Sequence, residues 1–216
     1  MTASPGEAEW PSLAERVIGG FRKEGTAAMQ LFQGTFSSLP ELKTDRLILR
    51  PMRMSDARDV YAYAQDPEVS RHVLWSAHTS LSQSRDFLRS AIRQYRRGEP
   101  GSFAIVLKAS GRMIGTVGFM WIDRDYKSAE VGYSLGRAYW NQGIMTEALR
   151  AVVAYGFDQL GLNRIEAQHE TDNPASGRVM AHVGMQYEGT LRQRVKNKGK
   201  FVDVALCAIL RSDPRL

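Results

Sequence analysis

The sequence is poor in cysteine and has no long apolar segment. Cys207 is the single cysteine among 216 residues, so no disulfide can form within the chain. It stands in an apolar run over 204–210, where a cysteine is expected to be a small buried hydrophobe. No apolar run approaches the roughly 20 residues that a membrane helix requires, and Glu7 and Glu9 stand where a signal peptide has basic residues. These absences predict a protein of the reducing cytoplasm without a membrane partner.

Basic residues are in moderate excess. The chain has 29 Lys and Arg against 23 Asp and Glu, a net charge of +6, which suits an anionic cofactor, an acidic protein surface or RNA. The basic clusters over 93–97 and 196–200 are short, and neither forms a stripe with interleaved aromatic residues. Specific nucleic-acid binding is therefore not expected.

The chain divides into an extension and one domain. Residues 1–40 are punctuated by glycine and show no strand pattern, so they are predicted to be a partly ordered extension, while 41–216 fit one domain of ordinary size. Several apolar residues of the extension share one helical face and suit docking on the body or on a second subunit: Trp10, Leu13, Val17, Ile18 and Phe21.

The hydrophobic periodicity of the domain predicts an α+β fold with a mixed, largely antiparallel sheet. Ser55 is expected to cap the first helix, and the strand–helix–strand unit over 128–170 makes two strands parallel. Helices are predicted over 56–65, 81–97, 144 to about 160, and 174–183. Strands are predicted over 46–50, 103–107, 113–122, 128–135, 164–170, 185–194 and 201–207.

The turn over 139–149 is the most informative stretch. It joins a predicted strand to a predicted helix, and the start of a helix presents unpaired N–H groups and a positive dipole end that suit a phosphate. Gly143 lets the backbone approach a ligand closely. Taken alone, the turn is equally compatible with a glycine that is present for steric reasons.

Seven segments in register carry a family resemblance. The domain resembles the GCN5-related N-acetyltransferases (GNAT), and within them the RimJ/RimL-like branch that acetylates ribosomal-protein N-termini. In the turn, Trp140 and Met145 depart from the pattern of the wider family, and the looser form is similar to that branch. The matching segments are 45–51, 114–118, 130–133, 139–148, 173–176, 183–185 and 187–192.

The resemblance implies the GNAT fold: six or seven strands, a splay between strands 4 and 5, and about four flanking helices. It implies acetyl-CoA as cosubstrate in the splay, and no metal. Asn173 is implied to form a hydrogen bond with the pantetheine arm, and Ser176 is implied to lie near the sulfur. The remaining cofactor contacts are implied to come from the backbone of Tyr133, Ser134 and Leu135 for pantetheine, and of Gln142, Gly143, Ile144, Met145 and Thr146 for the pyrophosphate.

Candidates for proton transfer follow from their positions. Glu130 stands in mid-strand beside the implied splay, where partial burial raises a carboxyl pKa, and it is the leading general base. The alternative for Glu130 is a surface carboxylate paired with an arginine. Glu170, His169 or a water molecule are the other candidate bases. Ser176 is the candidate donor to the leaving thiolate, whereas Asn173 is also a good helix cap.

The expected function is transfer of an acetyl group from acetyl-CoA to a primary amine by direct attack. An α-amine costs about 1 kcal/mol to deprotonate at pH 7, against about 4.6 kcal/mol for a lysine, so the lack of an obvious strong base favours a protein N-terminus, and the resemblance implies that of a ribosomal protein. The alternatives are a small-molecule amine (an amino acid, polyamine or antibiotic) and a non-catalytic acyl-CoA-binding module. The chain is expected to be a monomer or a homodimer.

Overall fold

The computed structural model describes residues 36–215, and these residues form one eight-stranded sheet. Along the sheet the strands follow the order β1-β2-β3-β4-β5-β6-β8-β7. The strand bounds are β1 Leu42–Lys43, β2 Leu47–Arg50, β3 Ser102–Leu107, β4 Met113–Asp123, β5 Ser128–Leu135, β6 Arg164–Glu170, β7 Gln186–Asn197 and β8 Lys200–Leu210.

Within residues 36–215, five α-helices accompany the sheet, with two short 3-10 turns at Met54–Asp56 and Arg137–Tyr139. The predicted α+β class is confirmed, although the described residues contain one strand and one helix more than expected. Two-residue β1 is too short to show an alternating pattern. The helices are α1 Ala57–Ala64, α2 Pro67–Ser70, α3 Leu81–Arg96, α4 Ile144–Asp158 and α5 Pro174–Val183.

The start of α1 and the extra helix α2 differ from the prediction made from the sequence. The predicted cap at Ser55 is wrong, because it is the Asp56 carboxylate that accepts the backbone N–H of Arg53, at 2.7 Å, and so closes the preceding 3-10 turn. Pro67 follows the predicted helix over 56–65 and was assigned to no element. Instead it occupies the first position of α2, where proline is favoured, with Asp66 as the cap.

The last two strands form a longer hairpin than predicted. The pairing of β7 with β8 continues to Asn197 and Lys200, so Lys198 and Gly199 alone form the connection, which the strands predicted over 185–194 and 201–207 made longer. Lys198 and Gly199 both have positive φ, 45° and 86°, which is typical of a tight two-residue hairpin turn.

The strands β5 and β6 pair only at one end. Their parallel register covers three residue pairs, from Ser128 with Arg164 to Glu130 with Glu166. Beyond Glu166, β6 continues to pair with β8 as far as Glu170 and Val204. The gap between β5 and β6 therefore opens directly after Glu130, and it is the splay that was expected between strands 4 and 5.

The core lies between the sheet and its helices. The described chain begins at Phe36, which is 2% exposed and packs edge-on against Phe119, their ring centroids 6.1 Å apart. Residues 1–35 of the predicted extension, which include its shared helical face, lie outside the described residues. Cys207 is buried as predicted. Between residues 36 and 215, no helix combines the length and the apolar character needed to cross a membrane.

Candidate active site

The turn before α4 has an unusual backbone. Gly143 is the N-cap with φ of 71° and supplies no side-chain cap, and Asn141 also has positive φ, 58°. The first N–H groups of α4 consequently have no intrahelical acceptor. They form a cluster of donors at the positive end of the helix dipole, which is the geometry that binds a phosphate.

The edge of β5 that faces the splay offers backbone groups to a ligand. Gly136 donates to the carbonyl of Ile114 on β4 at 2.8 Å, and residues of a strand alternate between the two sides. Ser134 therefore directs its backbone towards β4, while Tyr133 and Leu135 direct theirs towards the splay. The carbonyl of Leu135 already accepts the indole N–H of Trp140, at 2.7 Å.

The side chain of Tyr133 meets the start of α5. Its hydroxyl lies 2.8 Å from Oγ of Ser176 and donates to the Ser176 carbonyl at 3.1 Å. Burial raises the pKa of Tyr133 well above its ordinary value, against the opposing effect of its bond with Ser176. From the sequence, only the backbone of Tyr133 was expected to contact the cosubstrate. The alternation along β5 would have placed its side chain on the same face as Val131 and Leu135.

Asn173 caps α5 as predicted. Its Oδ1 accepts the backbone N–H of Ser176 at 3.3 Å, and Pro174 follows at the first helical position. The cap uses only the amide oxygen, so the amide nitrogen of Asn173 remains for a ligand. One helix end thus brings Asn173 and Ser176 together with Tyr133, across the splay.

Glu130 lies where the pairing of β5 and β6 ends. Its Oε2 accepts from the indole N–H of Trp121 at 2.8 Å and from the amide of Gln168 at 3.4 Å. Burial raises the pKa of Glu130 and Glu166 raises it further, while Trp121 and the charge of Arg194 act in the opposite direction. Both hydrogen-bond donors are neutral, unlike the arginine of the alternative interpretation. Trp121 and Gln168 were not identified from the sequence.

The other two candidate bases have fixed partners. The Glu170 carboxylate is bound by His72 Nδ1 at 2.7 Å and by the side-chain amide of Asn197. His169 Nδ1 lies 2.8 Å from the Glu170 carbonyl oxygen. Asp172 joins His72 and Glu170 in a group whose ligand atoms lie within 4.8 Å of one another. These contacts tie the end of β6 to the segment after α2.

Comparison with known proteins identifies the family. The model of the acetyltransferase (GNAT) domain matches residues 46–186. The chain belongs to the GNAT acetyltransferases. It is 38% identical over 172 residues to the uncharacterized N-acetyltransferase p20 of Bacillus licheniformis, covering 80% of this chain and 97% of the relative.

A second relative and a solved structure are also similar to the chain. The [ribosomal protein uS5]-alanine N-acetyltransferase of Escherichia coli is 26% identical over 190 residues, covering 83% of this chain and 96% of the relative. The crystal structure of a GNAT-family acetyltransferase from Bacillus anthracis matches with a TM-score of 0.70 and 26% identity, covering 79% of this chain and 98% of that one.

Family and geometry agree on the reaction. The chain is an acetyl-CoA-dependent N-acetyltransferase with the GNAT fold. The donor cluster before α4 suits a pyrophosphate, and the strand edge at Tyr133 and Leu135 suits an amide-bearing pantetheine arm. The residues present therefore fit the cosubstrate that GNAT enzymes use.

Proposed function

We propose that this enzyme acetylates the N-terminal α-amine of a protein and that Glu130 is its general base. The amine nitrogen attacks the thioester carbonyl directly, so the C–N bond forms as the C–S bond breaks. The amine proton passes to Glu130, through water where the two groups do not touch. The released thiolate takes a proton from solvent.

The environment of Glu130 is the observation that carries this proposal. A carboxylate whose pKa is raised by burial is a stronger base than an exposed one and is suited to general-base work near neutral pH. Trp121 and Gln168 fix its orientation without neutralising it. An α-amine needs only modest help, because its ordinary pKa of about 7.8 lies close to neutral pH.

Ser176 is the proposed hydrogen-bond donor to the departing sulfur. Ser176 Oγ lies 2.8 Å from the Tyr133 hydroxyl, whose own proton is donated to the Ser176 carbonyl, so the Ser176 proton can turn from Tyr133 to the departing thiolate. A hydrogen bond to a group that becomes charged only in the transition state stabilises that state selectively. Tyr133 is then a positioning residue for Ser176.

The proposed cosubstrate contacts come mainly from the backbone. Tyr133 and Leu135 offer groups to the pantetheine arm, and the N–H group nearest Leu135 polarises the thioester carbonyl. Asn173 adds its amide nitrogen. The pyrophosphate takes the N–H groups of the turn and of the first turn of α4, from Gln142, Gly143, Ile144, Met145 and Thr146.

The proposed acceptor class follows from the chemistry of the base and from one relative. The printed name of the Escherichia coli relative specifies an alanine of ribosomal protein uS5, which supports a RimJ/RimL-like assignment and a ribosomal-protein N-terminus for this chain. A small-molecule amine is the second candidate acceptor.

Since a single cysteine excludes internal disulfides, a reducing cytosol is the proposed compartment.

Mass spectrometry of the proteome tests the acceptor. N-terminal acetylation is compared between cells with and without this chain, and the affected N-terminal peptides are then acetylated with purified enzyme, with free amino acids, spermidine and aminoglycosides as parallel substrates. A small set of N-termini that lose acetylation supports the proposal. Turnover of small amines alone would refute it, and acetyl-CoA binding without thiol release on any acceptor would indicate a binding module.

A further inference from the structure

The segment at the start of β2 has no role in the reaction described so far, yet it contacts the pyrophosphate turn. Glu147, in the first turn of α4, accepts the Thr44 hydroxyl on one carboxylate oxygen. The same oxygen accepts the backbone N–H of Arg46 at 2.8 Å, and the other oxygen accepts Arg46 Nε at 2.6 Å. We call Thr44, Arg46 and Glu147 the clamp.

Arg46 also reaches the turn itself. Its Nη1 donates to the carbonyl of Gln142 at 2.9 Å, so one guanidinium joins the residues on both sides of Gly143. The C=O and the following N–H of a trans peptide point in opposite directions. Holding the Gln142 carbonyl on Arg46 therefore directs the N–H of Gly143 away from the clamp.

The turn needs such support. Asn141 and Gly143 both lie in the left-handed region, with φ of 58° and 71°, and this conformation is unfavourable for a residue with a Cβ such as Asn141. Gln142 is held on the other side by its own amide, which donates to the carbonyl of Ala138 at 2.8 Å. A turn restrained at both ends keeps its N–H groups in one arrangement.

The clamp also balances the negative charge of Glu147 near the turn. A free Glu147 carboxylate in the first turn of α4 would repel an incoming phosphate. Burial by itself would raise the pKa of Glu147, but the hydrogen bonds from Thr44 and Arg46 outweigh it and hold the pKa below its ordinary value. Glu147 is thus an ionised group whose charge is matched by Arg46, and both side chains line the open pocket that contains Gly143 and Thr146.

We infer that the clamp of Thr44, Arg46 and Glu147 is a positioning device that preorganises the pyrophosphate-binding turn. The inference rests on the proposed role of that turn. It gives a role to a contact between Arg46 and Glu147, which lie 101 positions apart in the chain.

Binding of coenzyme A tests the inference by calorimetry, with Arg46→Gln and Glu147→Gln. We expect the Kd to rise about tenfold or more in each, as for the loss of a charge-assisted hydrogen bond. Amide exchange over 141–146 is expected to accelerate. At saturating acetyl-CoA kcat stays unchanged, and so does turnover of acetyl-pantetheine, which has no pyrophosphate. Arg46→Lys, which keeps the charge but not the fork, is expected to lie between wild type and Arg46→Gln.

The matched control is Arg112→Gln. Arg112 Nε lies 2.9 Å from Asp59, with side-chain exposures of 58% and 22%, against 46% and 18% for Arg46 and Glu147, and its hydrogen bonds join Asp59, Ser110 and Leu107. The inference is overturned if Arg46→Gln binds coenzyme A within twofold of wild type, or if acetyl-pantetheine turnover falls as much as acetyl-CoA turnover. Failure of wild type to bind coenzyme A would instead refute the proposed function, and the clamp with it.

Discussion

The two sides of the site are built from different parts of the chain. On the cofactor side, the turn before α4 and the edge of β5 present backbone groups, whose chemistry survives most side-chain replacements. On the amine side, Glu130 depends on the side chains of Trp121 and Gln168. If the proposed roles hold, binding of the cosubstrate depends on backbone conformation, whereas proton transfer from the amine depends on one side chain and its two hydrogen-bond donors.

The largest expected effect is on the amine side. Glu130→Gln is expected to lower kcat/KM by about 10²- to 10⁴-fold, the usual contribution of a general base. A base acts only when deprotonated, so wild-type kcat/KM should rise with pH through the raised pKa of Glu130 and then level. The pH profile of purified enzyme measures both.

The control for that profile is Glu166→Gln. The carboxylate of Glu166 raises the pKa of Glu130, so its removal should move the rising limb to lower pH while most activity is kept. A profile unchanged in Glu130→Gln apart from scale would contradict the role of Glu130 and would leave water as the acceptor of the proton.

Ser176→Ala is expected to lower kcat by about 10- to 100-fold, because a hydrogen bond to a developing charge is lost. Tyr133→Phe should lower kcat less, since it removes only the group that orients Ser176. Steady-state kinetics with acetyl-CoA and with a thioester of a more acidic thiol provide the measurement. Losses that remain equally large with the better leaving group would count against this role.

Gly143→Ala tests the cofactor side of the site, and Gly111→Ala is its matched control. The φ values are 71° and 66°, and a Cβ at Gly111 meets nothing within 4 Å. Both substitutions should therefore cost about 1 kcal/mol of unfolding free energy for the left-handed conformation. Denaturant titration measures that, and calorimetry should show weaker coenzyme A binding in Gly143→Ala alone. Equal binding in the two variants would contradict the assignment of the turn.

The smallest expected effect is that of Thr146→Ala. Because the turn is proposed to bind through N–H groups, removal of this hydroxyl should change the Kd of coenzyme A by less than about twofold, a fraction of 1 kcal/mol. Calorimetry again provides the test. A tenfold loss would break the distinction between a backbone-built side and a side-chain-built side.

Local patterns were enough to predict much of the fold. The bounds of β5, β6 and α5 follow from alternation, from the cap at Asn173 and from Gly184. The hairpin length was underestimated, because β7 is exposed along most of its length and has no alternation to read. The Ser55 cap failed because the Asp56 carboxylate binds the backbone N–H of Arg53, three residues earlier, and closes a 3-10 turn there instead.

The proposed site rests partly on motifs that a sequence shows directly. The turn and the Asn173–Ser176 pair are each short continuous segments, and their roles stay predictions. The contacts of Glu130 with Trp121 and Gln168, and of Arg46 with Glu147, depend on strand register and on residues far apart in the chain. A single sequence contains no local signal for such pairs.

The irregular pairing in the middle of β7 has a consequence for the solubility of the protein. β7 has twelve residues and is the terminal strand of the described sheet, and the outward-facing backbone groups of a regular edge strand would recruit strands from other molecules. Between Leu191 and Val195 the register shifts, and Gln193 adopts φ of 50° with its N–H on the carboxylate of Asp203. This irregularity interrupts the edge in mid-strand, so the longest open border of the sheet is a poor template for fibril growth.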